Sequence, residues 1–184
     1  MEVIDAIKTR RSIRKYKNTP VKDKDLDTIL EAARWAPSWA NTQCVRFIII
    51  KDKEIKTKLA ETLTASNPAL QAILEAPILI AVCAELGKSG LKQGEIQTDK
   101  GDWFMFDAGI AMQNLVLASH SLGLGTVYIG LFDASKASGI LNLPNGVTVV
   151  AFTPLGYPDV EPNAPQRKES SETVFYNIYG KVDS

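Results

Sequence analysis

A chain of 184 residues can fold as one domain with a sizeable core, and its 45% hydrophobic and 23% charged residues exclude disorder and fibrous repeats. Twenty-one basic residues balance 21 acidic ones, which leaves no global field to draw in nucleic acid or an acidic membrane. Electrostatic function must therefore be local.

The first residues, Met1-Glu2-Val3-Ile4-Asp5, carry acids where a secretory leader would carry bases, so a cytoplasmic protein is expected. Val3, Ile4 and Ile7 share a helical face, and Leu26, Ile29, Leu30 and Ala33 repeat the pattern until Pro37 stops it, which predicts two early helices. Val45 to Ile50 is β-branched and aromatic and reads as a buried strand. Ile55, Leu59 and Leu63 mark a further helix. Asn67-Pro68 reads as an N-cap with proline at the first helical position, opening a short helix through Leu74 that ends before Pro77. Ile78 to Ala84 is the next strand.

From Gly87 to Gly101 the chain has little periodicity and glycines at 87, 90, 94 and 101, so a surface loop and candidate lid is predicted. Trp103 to Leu122 is apolar almost all round, which suits a helix buried on several sides or in a subunit interface, with Gly123 at its C-terminal cap. Asp107, Gln113, Asn114 and His120 interrupt it and exclude a membrane-spanning role. Strands follow at Thr126 to Gly130 and Val147 to Thr153, separated by a helix from Asp133 to just before Pro144. Beyond Gly156, Pro158, Pro162 and Pro165 with interspersed charges predict an extended arm. Val174, Phe175, Tyr176 and Ile178 then form an apolar terminus that needs covering, and wrapping over a partner subunit is one way to cover it.

Several chemistries fail on inspection. Gly87-Lys88-Ser89 follows a strand but lacks the first glycine of a P-loop, and Gly123-Leu124-Gly125 follows a helix and lacks the last glycine of a dinucleotide fingerprint, where Tyr128 stands. His120 is the single histidine, at helical spacing in an apolar segment where it reads as structural, so triads and histidine metal sites are not expected. Cys44 and Cys83 have no metal-type spacing. A chain so poor in reactive groups uses carboxylates and lysines or leaves the chemistry to a cofactor.

The strongest local anomaly is the stretch from residue 8 to 17, where Lys8, Arg10, Arg11, Arg14, Lys15 and Lys17 occur with no acid among them. Two readings fit. The cations complement the C-terminal dipole of a solvated helix end, or Arg10, Arg11, Ser12 and Arg14 form a phosphate clamp with forked guanidinium groups. Arg167-Lys168 would close that ring, although a surface pair is commonly just solvated. No aromatic platform interleaves with the patch, which disfavours nucleic acid.

The run Arg10-Arg11-Ser12-Ile13-Arg14-Lys15-Tyr16 resembles the opening FMN-binding motif of the nitroreductase superfamily, and later segments agree in order. Ala36-Pro37-Ser38-Trp39-Ala40-Asn41-Thr42-Gln43 with Arg46-Phe47 is similar to its second flavin loop, and Asp107 to Gly125 to its long central helix. Tyr128-Ile129-Gly130, Leu155-Gly156-Tyr157-Pro158 and Arg167-Lys168 complete a match over nearly the whole chain. Trp39 and Cys44 depart from the pattern, standing where a small residue and a proline are frequent. Trp39 there would narrow the site, stack on ligands, or seal an interface.

The resemblance implies an α+β fold: a nitroreductase-like sandwich with a mostly antiparallel central sheet flanked by helices, in an intertwined homodimer. Residues 1–184 would form one FMN-binding domain, with 157–184 an arm on the partner subunit. By position, Arg10, Ser12, Arg167 and Lys168 would hold the FMN phosphate, with Arg11 and Arg14 toward the ribityl chain and the pyrimidine side of the ring. Ile129 and Gly130 would lie beside the flavin, Gly130 presenting backbone near N5, and Asn67 would reach the ring edge or serve only as a cap. Ser38, Asn41 and Gln43 would come from the other subunit, and Trp39 of the same loop is counted with the cofactor-binding residues. The cofactor would carry the reaction, tuned by Arg14 and Gly130, with no catalytic side chain and no metal. The implied activity is ping-pong hydride transfer from NADH or NADPH to small electron-poor acceptors such as nitroaromatics or quinones. Dehalogenation, dehydrogenation, flavin fragmentation and a non-catalytic flavin sensor or carrier are the alternatives on the same fold.

Overall fold

The computed structural model describes residues 1–181. Helices α1 (Val3–Thr9) and α2 (Asp23–Arg34) come first, then β1 (Val45–Ile50), α3 (Lys53–Ala60), α4 (Leu70–Glu75) and β2 (Ile78–Glu85). A small hairpin of β3 (Leu91–Lys92) and β4 (Glu95–Ile96) precedes the long helix α5 (Phe104–Ser121). Strand β5 (Gly125–Thr126), helix α6 (Ala134–Ile140) and strand β6 (Val147–Gly156) complete the ordered core. The main sheet runs β1-β2-β6-β5 with every neighbouring pair antiparallel.

Strand alternation explains the layers. On β2, buried from Ile78 to Ala84, Ile78, Ile80 and Val82 face one way and join Ile29 of α2 with Met112, Leu115 and Val116 of α5. Leu79, Ala81 and Cys83 face the other way and join Leu59, Ile73 and Ala137 from α3, α4 and α6. A central strand covered on both faces must be apolar at consecutive positions, and this one is. The result is a helix–sheet–helix sandwich of the expected α+β class. Among the described residues no helix is long and apolar enough to cross a membrane.

Several element boundaries differ from expectation. The strand predicted for 126–130 pairs regularly only at Gly125–Thr126; beyond it Ile129 alone bridges Phe152, through reciprocal bonds of 2.9 Å. Helix α3 stops at Ala60, because Leu63 leaves the helical path to bridge Phe132. Asn67 does not cap α4: its side chain accepts from Ala69 N at 2.9 Å, forming a turn ahead of the helix, whose N-cap is Ala69. The 87–101 segment is not structureless. Gln93 and Gly94, at φ 53° and 82°, turn the β3–β4 hairpin, a conformation that needs left-handed residues.

Past Gly156 the described residues are largely exposed, with a bridge from Pro158 to Tyr16 and a short 3-10 turn at Ser170–Glu172. Trp35 is 73% exposed and Phe106 59%, so within one chain neither belongs to the core.

Candidate functional site

The basic stretch lies along the β5 edge because its apolar members pull it there. Ile13 and Tyr16 are buried, Ile13 N donates to Thr126 O at 2.9 Å, and Lys17 N donates to Tyr157 O at 2.9 Å. The approach is close enough that a Cβ on Gly125 would sit 2.6 Å from Ile13 Cγ1. Burying residues 13 and 16 leaves their neighbours facing outward, and Arg14 and Lys15 are exposed.

Arg10 is half-buried, and its Nη1 is a buried nitrogen without a hydrogen-bond partner among the described residues. Among the described residues none of the six cations from Lys8 to Lys17 forms a salt bridge. A buried guanidinium nitrogen left unpaired is costly unless an anion arrives to take it. Arg11 is partly satisfied, its Nη1 donating to Lys8 O at 2.9 Å and Arg10 O at 2.8 Å. Both arginines line a cleft of about 670 Å³ with His120, Gly123, Tyr157 and Ala164. His120, read from the sequence as structural, is bonded through Nε2 to Thr9 Oγ1 at 2.8 Å and also borders this cleft.

A second cleft of about 300 Å³ collects Arg14, Asn67, Ile129 and Gly130. Ile129 is buried and fixed by Phe152, while Asn67 Nδ2 donates to Leu131 O at 3.2 Å. A Cβ on Gly130 would meet nothing within 4 Å, so the fold of this chain does not itself require glycine there.

Ser38, Trp39, Asn41 and Gln43 are elsewhere. They precede β1, at the opposite edge of the sheet from β5, three strand spacings or roughly 14 Å away across the sheet. Ser38 and Gln43 line a groove of about 340 Å³ with Phe47, Ala111 and Asp107. Ala40, Asn41 and Gln43 have φ of 44°, 56° and 50°, the left-handed region that alanine and glutamine rarely adopt. Such residues cost on the order of 1–3 kcal/mol each and persist only where their surroundings hold them. Here Ser38 Oγ accepts from Gln43 N at 2.9 Å, and Trp39 N donates to Asp107 Oδ1 at 3.0 Å. Arg167 and Lys168 are exposed in the arm, and neither lines these clefts.

In the sequence Asp107 stands as an interruption of the apolar helix and as the first residue of the segment similar to the family's central helix, with no functional role implied. It is 1% exposed and accepts three donors, and the signal for it was a lone carboxylate early in an otherwise apolar helix.

The profile of the Nitroreductase family matches residues 7–157. A Methanothermobacter thermautotrophicus protein provisionally named NADH dehydrogenase/NAD(P)H nitroreductase is 36% identical over 166 residues, covering 88% of this chain and 80% of its own. The FMN reductase [NAD(P)H] of Bacillus subtilis is 31% identical over 191 residues, covering 96% of this chain and 75% of its own. Among solved structures, the NADPH:FMN oxidoreductase from Vibrio harveyi complexed with NAD+ superposes with a TM-score of 0.84 at 30% identity, covering 98% of this chain and 79% of that one.

Proposed function

This chain belongs to the nitroreductase family, and on that premise we propose that it is an FMN-dependent NAD(P)H oxidoreductase acting on small electron-poor acceptors such as nitroaromatics or quinones. The observation that carries the reading is the buried, unpartnered Nη1 of Arg10 within a basic stretch that has no acidic partner among the described residues. A phosphate dianion satisfies it, so the residues present fit FMN. FMN, when bound, supplies the hydride relay between nicotinamide and acceptor.

Arg10 and Ser12 would grip the phosphate, with Arg167 and Lys168 brought over from the arm. Arg11 would approach the ribityl chain and Arg14 would stabilise negative charge on the pyrimidine side of the ring. Gly130, whose missing side chain answers to nothing inside the chain, would leave room for a flat ring beside Ile129, and Asn67 would border it. No side chain need exchange protons with the acceptor. Donor and acceptor would take turns at one open site, which gives ping-pong kinetics.

The working unit would be a cytoplasmic homodimer of single-domain chains, with the arm from residue 157 packed on the partner; residues 182–184 of the expected arm lie outside the described residues. Exposed Val174, Tyr176, Ile178 and Tyr179 support this, as does the apolar face of α5 at Met105 and Phe106. Ser38, Trp39, Asn41 and Gln43 would then reach the partner's flavin, since they lie across the sheet from their own chain's basic edge.

Stopped-flow mixing of the FMN-loaded protein with NADH or NADPH under anaerobic conditions tests the activity. Rapid bleaching of the flavin band, followed by recovery on adding a quinone or nitroaromatic, is the expected result. A flavin that neither nucleotide reduces would leave a carrier or sensor, and reduction that no such acceptor reverses would remove this substrate class.

A further inference from the structure

We infer that Asp107 is a positioning residue for the flavin site, the group that holds the Ser38–Gln43 segment in its left-handed path. The inference rests on the reading of that segment as part of the partner's flavin site. The carboxylate is buried, and each of its oxygens has work. Oδ1 accepts from the Trp39 amide at 3.0 Å. Oδ2 accepts from the Ser89 hydroxyl at 2.6 Å and from the Cys44 thiol at 3.5 Å. Two of the three donors bracket residues 40–43, the part of the chain with three non-glycine residues at positive φ.

The arrangement also explains where this chain leaves its family's pattern. Cys44 supplies a donor that the more frequent proline lacks at its backbone and side chain alike, and its thiol stays protonated because burial and the Asp107 charge push its pKa up to about 11. Ser89 is fully buried at the start of the 87–101 segment, and Trp103 N donates back to Ser89 O at 3.0 Å. The base of that segment is thereby tied through one carboxylate to the flavin loop. Apolar packing does little for residues 40–43 themselves, because Ala40, Asn41 and Gln43 are exposed. Asp107 is a buried acceptor that reaches the residues on either side of them, Trp39 and Cys44.

The test uses the full-length protein in three forms. Asp107→Leu removes every acceptor at similar volume, while Asp107→Asn keeps one oxygen for the Trp39 amide. FMN titration should show at least a tenfold rise in Kd for the leucine variant and a Kd within about threefold of wild type for the asparagine variant, with the visible circular dichroism of bound flavin following the same order. A role confined to overall stability would lower the melting temperature and leave Kd alone. Equal FMN affinity in a folded leucine variant, or an asparagine variant as weak as leucine, overturns the inference.

Should the leucine variant not fold, wild-type protein without FMN still decides the matter. Its three tryptophans make the Trp39 amide resolvable by selective 15N labelling. The inference expects that amide to resist hydrogen exchange well beyond an open loop, and exchange at the open-loop rate overturns it. Failure of wild-type protein to bind FMN at all would count against the proposed function while leaving the exchange measurement to judge Asp107.

Discussion

Residues 10–17 lie against the sheet edge because Ile13 and Tyr16 are buried in the core, with Gly125 leaving space for Ile13 and Gly156 for Tyr16. Residues 38–43 have no comparable apolar anchor; they are shaped by a hydroxyl, a carboxylate and the backbone. One half of the candidate site is therefore positioned by packing and presents cations with no acidic partner among the described residues, while the other is positioned by polar bonds and carries backbone strain. Packing fixes a segment wherever the pattern of apolar residues is right. A polar hold depends on a few bonds, one of them to a group distant in sequence, so each group removed takes away a definite share of it.

The sharpest way to break the comparison is to ask whether the two halves meet only between chains. Arg14→Ala and Gln43→Ala dimers, each weakened in FMN binding, are unfolded, mixed and refolded. If sites are shared, a mixed dimer has both lesions in one site and none in the other, so wild-type binding and turnover reappear at one site per mixed dimer. If each site comes from one chain, every site keeps a lesion and nothing is recovered. Mixed dimers confirmed by mass but inactive would end the assignment of Ser38, Asn41 and Gln43 to the partner.

The same division decides how much could be read from the sequence. Strand β1 falls at Val45–Ile50 as its β-branched run requires, and α2 follows Leu26, Ile29 and Ala33 because burial repeats at the helical period. The basic edge was legible as an isolated charge anomaly. The hold on residues 38–43 was not, since no periodicity announces a carboxylate on a helix more than 60 residues downstream bonding a backbone amide. The expected strand at 126–130 failed for a related reason: Val127 and Ile129 are buried, but only Gly125 and Thr126 find regular partners on β6. The β3–β4 hairpin escaped notice because Gln93 occupies a left-handed turn position usually signalled by asparagine or glycine.

A smaller effect sharpens the contrast between the halves. Arg10→Ala removes the cation whose buried nitrogen awaits an anion and should cost FMN about 2–5 kcal/mol of affinity, the range for breaking a desolvated charge pair. Ser38→Ala removes one neutral acceptor from Gln43 N and should cost only about 0.5–1.5 kcal/mol. Calorimetric titration of both variants with FMN checks the order. An Arg10→Ala protein that binds FMN as tightly as wild type would take this residue out of the clamp.

The smallest predicted effect is a pH dependence that acts on one half alone. Thr9 Oγ1 donates to Asp5 O at 2.6 Å, so it accepts from His120 Nε2–H and fixes that tautomer of the neutral ring. Burial first, then the charges of Arg10 and Arg11, push the pKa of His120 below its ordinary value of 6.5. The unfolded chain thus takes up a proton at a higher pH than the folded protein does. Stability contributed by this group is fully present above pH 6.5 and is lost as pH falls from there through the lower folded value. An anion held by Arg10 and Arg11 would offset their charge and make the loss shallower. Residues 38–43 include no group that titrates in this range; the nearest thiol, Cys44, lies at about 11. Melting temperatures between pH 5 and 8 should therefore fall on the acid side in FMN-free wild type, fall less in the FMN-loaded protein, and lose the His120 component in His120→Gln. An unaltered acid slope in the glutamine variant would assign the effect to carboxylates elsewhere and detach His120 from the basic edge.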